Sequence, residues 1–363
     1  MKKITLISFF LIFIVSLSAF EYEFKNKLTL SGRLFEESSR QRYHLNANYK
    51  PNLFVTFFQN ESFSIDTEQT AELYYYKHES DLEENSEHDI ELYRSWLRFS
   101  ALQYEIRLGL QKINFGTAQI LRPLQWFDTI NPTDPQKNSE GAESLLFRYY
   151  FLNNANLWIW GIKPDKDGTS VAGTDLETNG FEFGGRLQYP FKFCEAAFSY
   201  HHRNLDDLQW ENEDRFGLDC RWDFEIGLWL ETMLSVMNAN NSEYYKHFFT
   251  VGADYSIAVG NGIYLLTEHM FYEFSEEIPT LFQDSYASSV MLSYPVGRLD
   301  SASAIVNYNW LTENYNYYFS YSRAYDFLSI YLNFFWNPDF DEYPIPEYDQ
   351  DGRSVQLLLE MNF

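Results

Sequence analysis

The sequence is short of the residues that staple or punctuate a small fold. With only 2 cysteines, it cannot be organised by a disulfide framework. Its 11 prolines and 17 glycines in 363 residues exclude collagen-like and low-complexity classes. Basic residues are scarce: 27 Lys and Arg stand against 52 Asp and Glu, for a formal net charge of -25. A surface of that sign repels a phosphate backbone, so no nucleic-acid partner is expected. After the N-terminus no stretch approaches about 18 uninterrupted apolar residues, which excludes a bundle of membrane-spanning helices. Catalytic motifs are missing too. There is no nucleophile elbow, phosphate-binding loop, Cys-x-x-Cys or His-x-x-x-His. The adjacent His201 and His202 would point to opposite faces of a strand and could not share a metal. The chain is therefore not expected to be an enzyme or to carry a cofactor. Its many acidic loop residues leave loop-bound calcium open.

The N-terminus carries an export signal. Lys2 and Lys3 precede an apolar run from Ile4 to Leu17, and Leu17-Ser18-Ala19 supplies small residues before Phe20. This is the pattern of a cleaved signal peptide over 1–19, leaving 20–363 as a single exported domain.

Aromatic residues make up 19% of the chain, with 28 Tyr, 33 Phe and 9 Trp. They fall in segments with a period of two. Tyr104, Ile106, Leu108 and Leu110 alternate with Glu105, Arg107, Gly109 and Gln111. Phe216, Leu218, Cys220 and Trp222 alternate with Arg215, Gly217, Asp219, Arg221 and Asp223. Successive strand residues face opposite ways, so each segment has an apolar and a charged face. Segments of about 10 to 13 residues are long for a soluble sandwich and suit tilted membrane crossings. Tight turns are expected at Lys50-Pro51-Asn52, Ser100-Ala101, Asn153-Asn154, Pro190-Phe191, Asp223-Phe224, Val259-Gly260 and Tyr325-Asp326. Longer polar stretches lie between them, as in up-and-down membrane barrels. The fold class is thus all-β: a transmembrane antiparallel barrel of about 18 strands, with 16 as the alternative. Two of these strands are placed at 41–50 and 53–79. The final segment puts Val355, Leu357, Leu359, Met361 and Phe363 on one face. It resembles the C-terminal strand that the barrel-assembly machinery of outer membranes reads.

Residues 104–134 carry a further pattern: Arg107-x-Gly109-x-Gln111, then Phe115-Gly116, Asp128 and Asn131-Pro132-x-Asp134. It resembles the strand-plus-loop signature of porin-like outer-membrane proteins, including the group known as domain of unknown function 1302, with Phe115 in place of the usual Trp. The resemblance implies a porin-like barrel in the cell outer membrane and does not name a solute.

If the apolar faces touch lipid, Arg94, Arg98, Glu105, Arg107, Arg148, Glu182, Arg186, Arg215, Asp219 and Arg221 point inward as a charged wall that sets ion preference. Mutual pairing of these charges inside a narrow lumen is the competing reading. The connection 112–142 is too long and too apolar for a solvated loop, given Ile120, Leu121, Leu124, Trp126, Phe127 and Ile130. It is expected to fold into the barrel as a constriction, with Arg122, Asp128 and Asp134 facing the path. Cys194 and Cys220 are expected as cross-strand neighbours on the lipid side near the short-turn rim, as a disulfide or as two thiols. Tyrosine and tryptophan clusters near strand ends fit interfacial girdles. The function expected is passive passage of small hydrophilic solutes or ions. The alternatives are a non-conducting barrel (an adhesin, surface-polymer anchor or assembly factor) and, further off, a hydrolase. Expected partners are outer-membrane lipid and lipopolysaccharide, the assembly machinery through Val355 to Phe363, and small solutes. A homo-oligomer is left open as a further partner, though no stripe demands one.

Overall fold

A computed structural model describes residues 21–36, 41–80, 84–128, 130–134, 139, 141–163, 180–205, 210–239, 242–279, 284–337 and 352–363. The signal-peptide segment lies outside these residues. Strands account for nearly all regular structure: β1 (Glu21–Phe35), β2 (Gln41–Gln59), β3 (Phe63–Ser80), β4 (Glu84–Ala101), β5 (Tyr104–Gln111), β6 (Ala142–Tyr150), β7 (Asn156–Ile162), β8 (Glu182–Pro190), β9 (Glu195–Asn204), β10 (Asn212–Asp223), β11 (Gly227–Ala239), β12 (Ser242–Ile257), β13 (Ile263–Ser275), β14 (Asp284–Pro295), β15 (Asp300–Asn309), β16 (Asn314–Ala324), β17 (Leu328–Trp336) and β18 (Arg353–Asn362). Each pairs antiparallel with its sequence neighbours, and β1 pairs with β18 from Lys27↔Asn362 to Phe35↔Ser354. The sheet therefore closes into an 18-stranded up-and-down barrel. Closure gives every strand two partners and removes the open edge that an apolar surrounding would not tolerate.

At one rim every connection is two to five residues long, for example 60–62, 102–103 and 224–226, while the longest, 112–141, leaves the other rim. The two faces divide sharply. The exposed face carries Leu97, Leu108, Leu145, Phe183, Leu187, Phe198, Leu218 and Leu357. The inner face buries Arg186, Ser199, Asp219, Glu231, Thr250, Glu268, Ser289 and Asn333. An apolar exterior around a polar interior is inside-out for a water-soluble protein and right for a lipid-clad barrel.

One local expectation is corrected. Lys50-Pro51-Asn52 is not a turn. β2 runs through Pro51 to Gln59, and the turn lies at 60–62, where the Asn60 side chain accepts from the Ser62 and Phe63 amides at 2.8 Å each. The strands placed at 41–50 and 53–79 are therefore β2 and β3 cut at the wrong point. Proline lacks a ladder donor, which suggested a break. The β2–β3 register skips Lys50 and Pro51, so the missing N–H removes no bond there. Cys194 lies just before β9, and Cys220 pairs with Ala196 across the β9–β10 ladder. Both are free thiols.

Candidate functional site: a loop pinned inside a charged lumen

The site begins where β5 ends. Gly109 has φ +122°, and a side chain there would strike the Ser95 carbonyl and the Trp96 backbone on β4. Gln111 is fully buried and donates from Nε2 to the carbonyls of Arg107 and Ser144, both at 3.1 Å. These contacts fasten the last turn of β5 to β6 as the chain departs. The next residues run inward. Ile113, Phe115, Leu124, Trp126 and Phe127 join Leu146, Trp160, Met233, Phe248 and Met270 in one buried cluster against the barrel wall. Phe115 stacks on Trp160 at 5.6 Å, and Phe127 meets the His201 ring edge-on at 4.9 Å. Each buried aromatic or leucine contributes about 1.5–3 kcal/mol of apolar transfer, so this contact is a substantial hold on the loop.

Two carboxylates complete that hold. Glu231 on β11 accepts from the backbone amides of Thr117, Ala118 and Leu124 at 2.7, 2.9 and 2.7 Å. Glu268 on β13 accepts from those of Gln119, Ile120 and Leu121 at 2.7, 2.9 and 2.6 Å, and from Trp229 Nε1 at 3.0 Å. Six consecutive or nearly consecutive loop amides thus converge on two carboxyl groups, the arrangement of a backbone nest. Gly116 (φ +101°) permits the approach, since a Cβ there would lie 2.5 Å from a Glu231 oxygen. Gly217 on β10 leaves room for Leu124 and Trp126 in the same way. The returning leg is fixed by Arg94, whose guanidinium donates to the Ser139 carbonyl at 2.7 Å.

Inside the loop, Arg122 pairs with Asp128 at 3.5 Å and donates to Asn114 Oδ1 at 3.2 Å; Asn114 in turn donates to Asp128. Arg122 and Asp128 are buried against one another, and Asp134 closes a turn through its amide to the Asn131 carbonyl at 3.1 Å. Arg122 and Asp128 therefore set the loop's own shape rather than standing free in the lumen. Lys112, at the root of the loop, has its ammonium pKa held below the usual lysine value, chiefly by burial.

The ten wall residues all lie on the inner face; apart from Arg94, buried against Ser139, and Arg221, which is about as exposed as Arg98, they fall into two groups. On β4–β6, Glu105 is shared by Arg107 at 3.1 Å, Arg148 at 3.6 Å and Arg98 at 3.7 Å, and Arg98 also meets Asp66 at 2.7 Å. These guanidiniums keep 16–27% of their side-chain surface exposed. On β8–β12, Arg186 grips Asp219 with two bonds at 2.6 and 2.9 Å, and Glu213 takes Arg203 and Arg215 at 2.6 and 3.0 Å. Their side chains are 2–4% exposed. Glu182 bonds His201 at 2.9 Å, and Arg221 bridges Asp223 and Asp254 at 2.8 and 3.0 Å. Sequence reasoning missed Glu231, Glu268, Asp66, Arg203 and Glu213. The alternation around Glu231 and Glu268 marks them as inward, but nothing in it says that their partners are backbone amides more than a hundred residues away.

No family model matches the chain, and no curated protein matches it by sequence. Solved structures match its fold. OccK9 (OpdG) of Pseudomonas aeruginosa superposes with a TM-score of 0.60 at 10% identity, covering 94% of this chain and 97% of that one. OccAB4 of Acinetobacter baumannii gives 0.56 at 10% identity, over 96% and 99%. Salmonella typhi OmpF, in complex with daunomycin, gives 0.55 at 9% identity, over 95% and 98%. At these identities the likeness is one of fold: the chain has the closed barrel architecture of these outer-membrane proteins.

Proposed function

We propose that this chain is a porin-like channel of the outer membrane that passes small hydrophilic solutes or ions by diffusion. The observation that carries the reading is the asymmetry of the lumen. The loop is tied by Glu231 and Glu268 to β11 and β13, with Ile120 reaching β15–β17, while the Arg98, Arg107, Arg148 and Glu105 group on β4–β6 keeps access to solvent. A barrel built only as a scaffold has no need to keep charged groups wet and a loop held aside. The chemistry is binding and passage, without a catalytic step. Lipid and lipopolysaccharide surround the apolar belt, and Val355 to Phe363 presents the strand that assembly machinery reads. The narrower likeness of residues 104–134 to the domain of unknown function 1302 group fits this reading. Phe115, Gly116 and Asp128 of that pattern belong to the pinned loop.

The test is conductance of the refolded mature protein in a planar bilayer, with and without residues 118–136. Steady channels that widen on deletion are expected. A folded barrel that stays silent in both forms would overturn the proposal. That outcome would favour the non-conducting barrel, for which the apolar cluster filling part of the lumen is the supporting observation.

A further inference from the structure

On the barrel exterior, β15, β16, β17, β18 and β1 enclose a hollow of about 640 Å³. Cross-strand register defines its shape. One row of outward side chains runs Ala304, Phe319, Phe334, Val355. A second, nearer the long-loop rim, runs Val306, Tyr317, Trp336, Arg353. Between them the backbone of inward-facing Ile305, Tyr318, Phe335 and Ser354 forms the floor. The small side chains of Ala304 and Val306 open one end. The result is a furrow crossing five strands, about 19 Å at the usual interstrand spacing. Its volume lies within the about 300–1,000 Å³ of small-molecule sites.

The furrow is apolar along its length and polar at one end. Arg353 lies over the Trp336 ring at 3.9 Å and is about half exposed. It meets the Glu36 carboxylate at 3.6 Å, also about half exposed, and such a surface pair holds a cation weakly. Tyr317 and Trp336 stand side by side, 6.0 Å between rings, exposing flat faces beside that charge. A chain-shaped apolar groove that ends at aromatic faces and an arginine matches a lipid with a sugar and a phosphate at its head. A second barrel is a poorer occupant, because two convex walls touch along a line and leave such a furrow unfilled.

We infer that the furrow between the Phe319–Phe334 and Tyr317–Trp336 rows binds one acyl chain of a phosphorylated glycolipid, with Arg353 on the phosphate and Trp336 and Tyr317 against the sugar. The inference rests on the barrel being embedded in a membrane, and it is independent of whether the lumen conducts.

The experiment is native mass spectrometry of the full-length mature protein in mild detergent, titrated separately with lipid A, dephosphorylated lipid A and phosphatidylethanolamine. One lipid A is expected per barrel. Ala304→Trp, which fills the open end from the lipid side, should lower its occupancy at least tenfold. Arg353→Gln should lower lipid A occupancy about fivefold and bring it to the level of the dephosphorylated form. Arg298→Gln, a cation on the opposite rim, serves as the control and should change nothing. Heat-resistant migration of each variant on a denaturing gel reports that the barrel is folded. Undiminished binding by a folded Ala304→Trp variant would overturn the inference. So would equal occupancy by phosphatidylethanolamine, or a lipid-free dimer that Ala304→Trp dissolves. Loss of conductance with lipid binding intact would count against the channel and leave this site standing.

Discussion

Two walls of the same lumen use the same residue types for opposite ends. On β8–β10, the Arg186–Asp219 and Arg203–Glu213–Arg215 groups are almost wholly buried, and the loop's Phe115 ring lies 5.1 Å from the Arg186 guanidinium. On β4–β6, one carboxylate serves three guanidiniums that remain partly wet. Taking charges out of water is costly unless each is matched, so the buried wall is paired closely and geometrically fixed. The wet wall can leave Arg98 and Arg107 directly opposite one another, because solvent and Glu105 screen them. The lesson is that sign and strand position do not decide whether a lumen charge is structural. The cover above it does. Here the cover is the loop, and the loop stays because Glu231 and Glu268 hold its amides.

Removing the cover should have the largest effect. In Glu231→Ala/Glu268→Ala, six loop amides lose charged acceptors, each worth about 1.5–3 kcal/mol. The loop is expected to become cleavable by protease in the detergent-solubilised protein, while barrel strands stay protected. Gly116→Val should act in the same direction through sterics and backbone strain, with loop cleavage as the readout. Next comes the shared carboxylate. Glu105→Gln leaves Arg98, Arg107 and Arg148 repelling one another, and should lower the unfolding midpoint by more than Arg107→Ala does; equal midpoints would show that Glu105 is not their common anchor. Arg107→Ala itself should shift permeability from anions toward cations by about two- to fivefold, the effect of ~0.5–1 kcal/mol for one charge seen through water. Arg215→Ala on the covered wall should leave that ratio unchanged and cost stability instead.

The smallest effect concerns Lys112. Its folded-state pKa lies below the unfolded value of 10.5, so the unfolded chain binds more protons between the two. Stability from this group therefore rises with pH through that window and is complete above the unfolded value. Lys112→Met should flatten the rise when variant and parent are compared by thermal melting from pH 8 to 11. An unchanged difference between the two curves would show that burial of the ammonium plays no part.

Much of the fold was legible in the sequence because a barrel repeats one simple instruction, the alternation of apolar and polar residues. Eighteen strands and most short turns follow from it. It failed at Pro51, where a residue that usually breaks strands sits at a point the ladder skips. The loop was legible as an oddity, since Leu124, Trp126 and Phe127 are too apolar for water. Its fastening was not. Arg122 and Asp128 looked like charges for a passing solute, yet they pair with each other and with Asn114, over separations of 6 to 14 residues, a local fold that composition does not reveal. Glu231 and Glu268 looked like any inward carboxylate, since the amides that claim them come from a segment far off in the chain.

The central claim is that carboxylates on one wall hold a loop aside and thereby set the width of a conducting path. Single-channel recording of the refolded protein beside its Glu231→Ala/Glu268→Ala variant tests it most directly. The account predicts steady openings in the parent, and larger or rapidly fluctuating ones in the variant as the loop leaves its wall. Identical conductance and noise in the two, with the variant's loop shown to be cleavable, would contradict it.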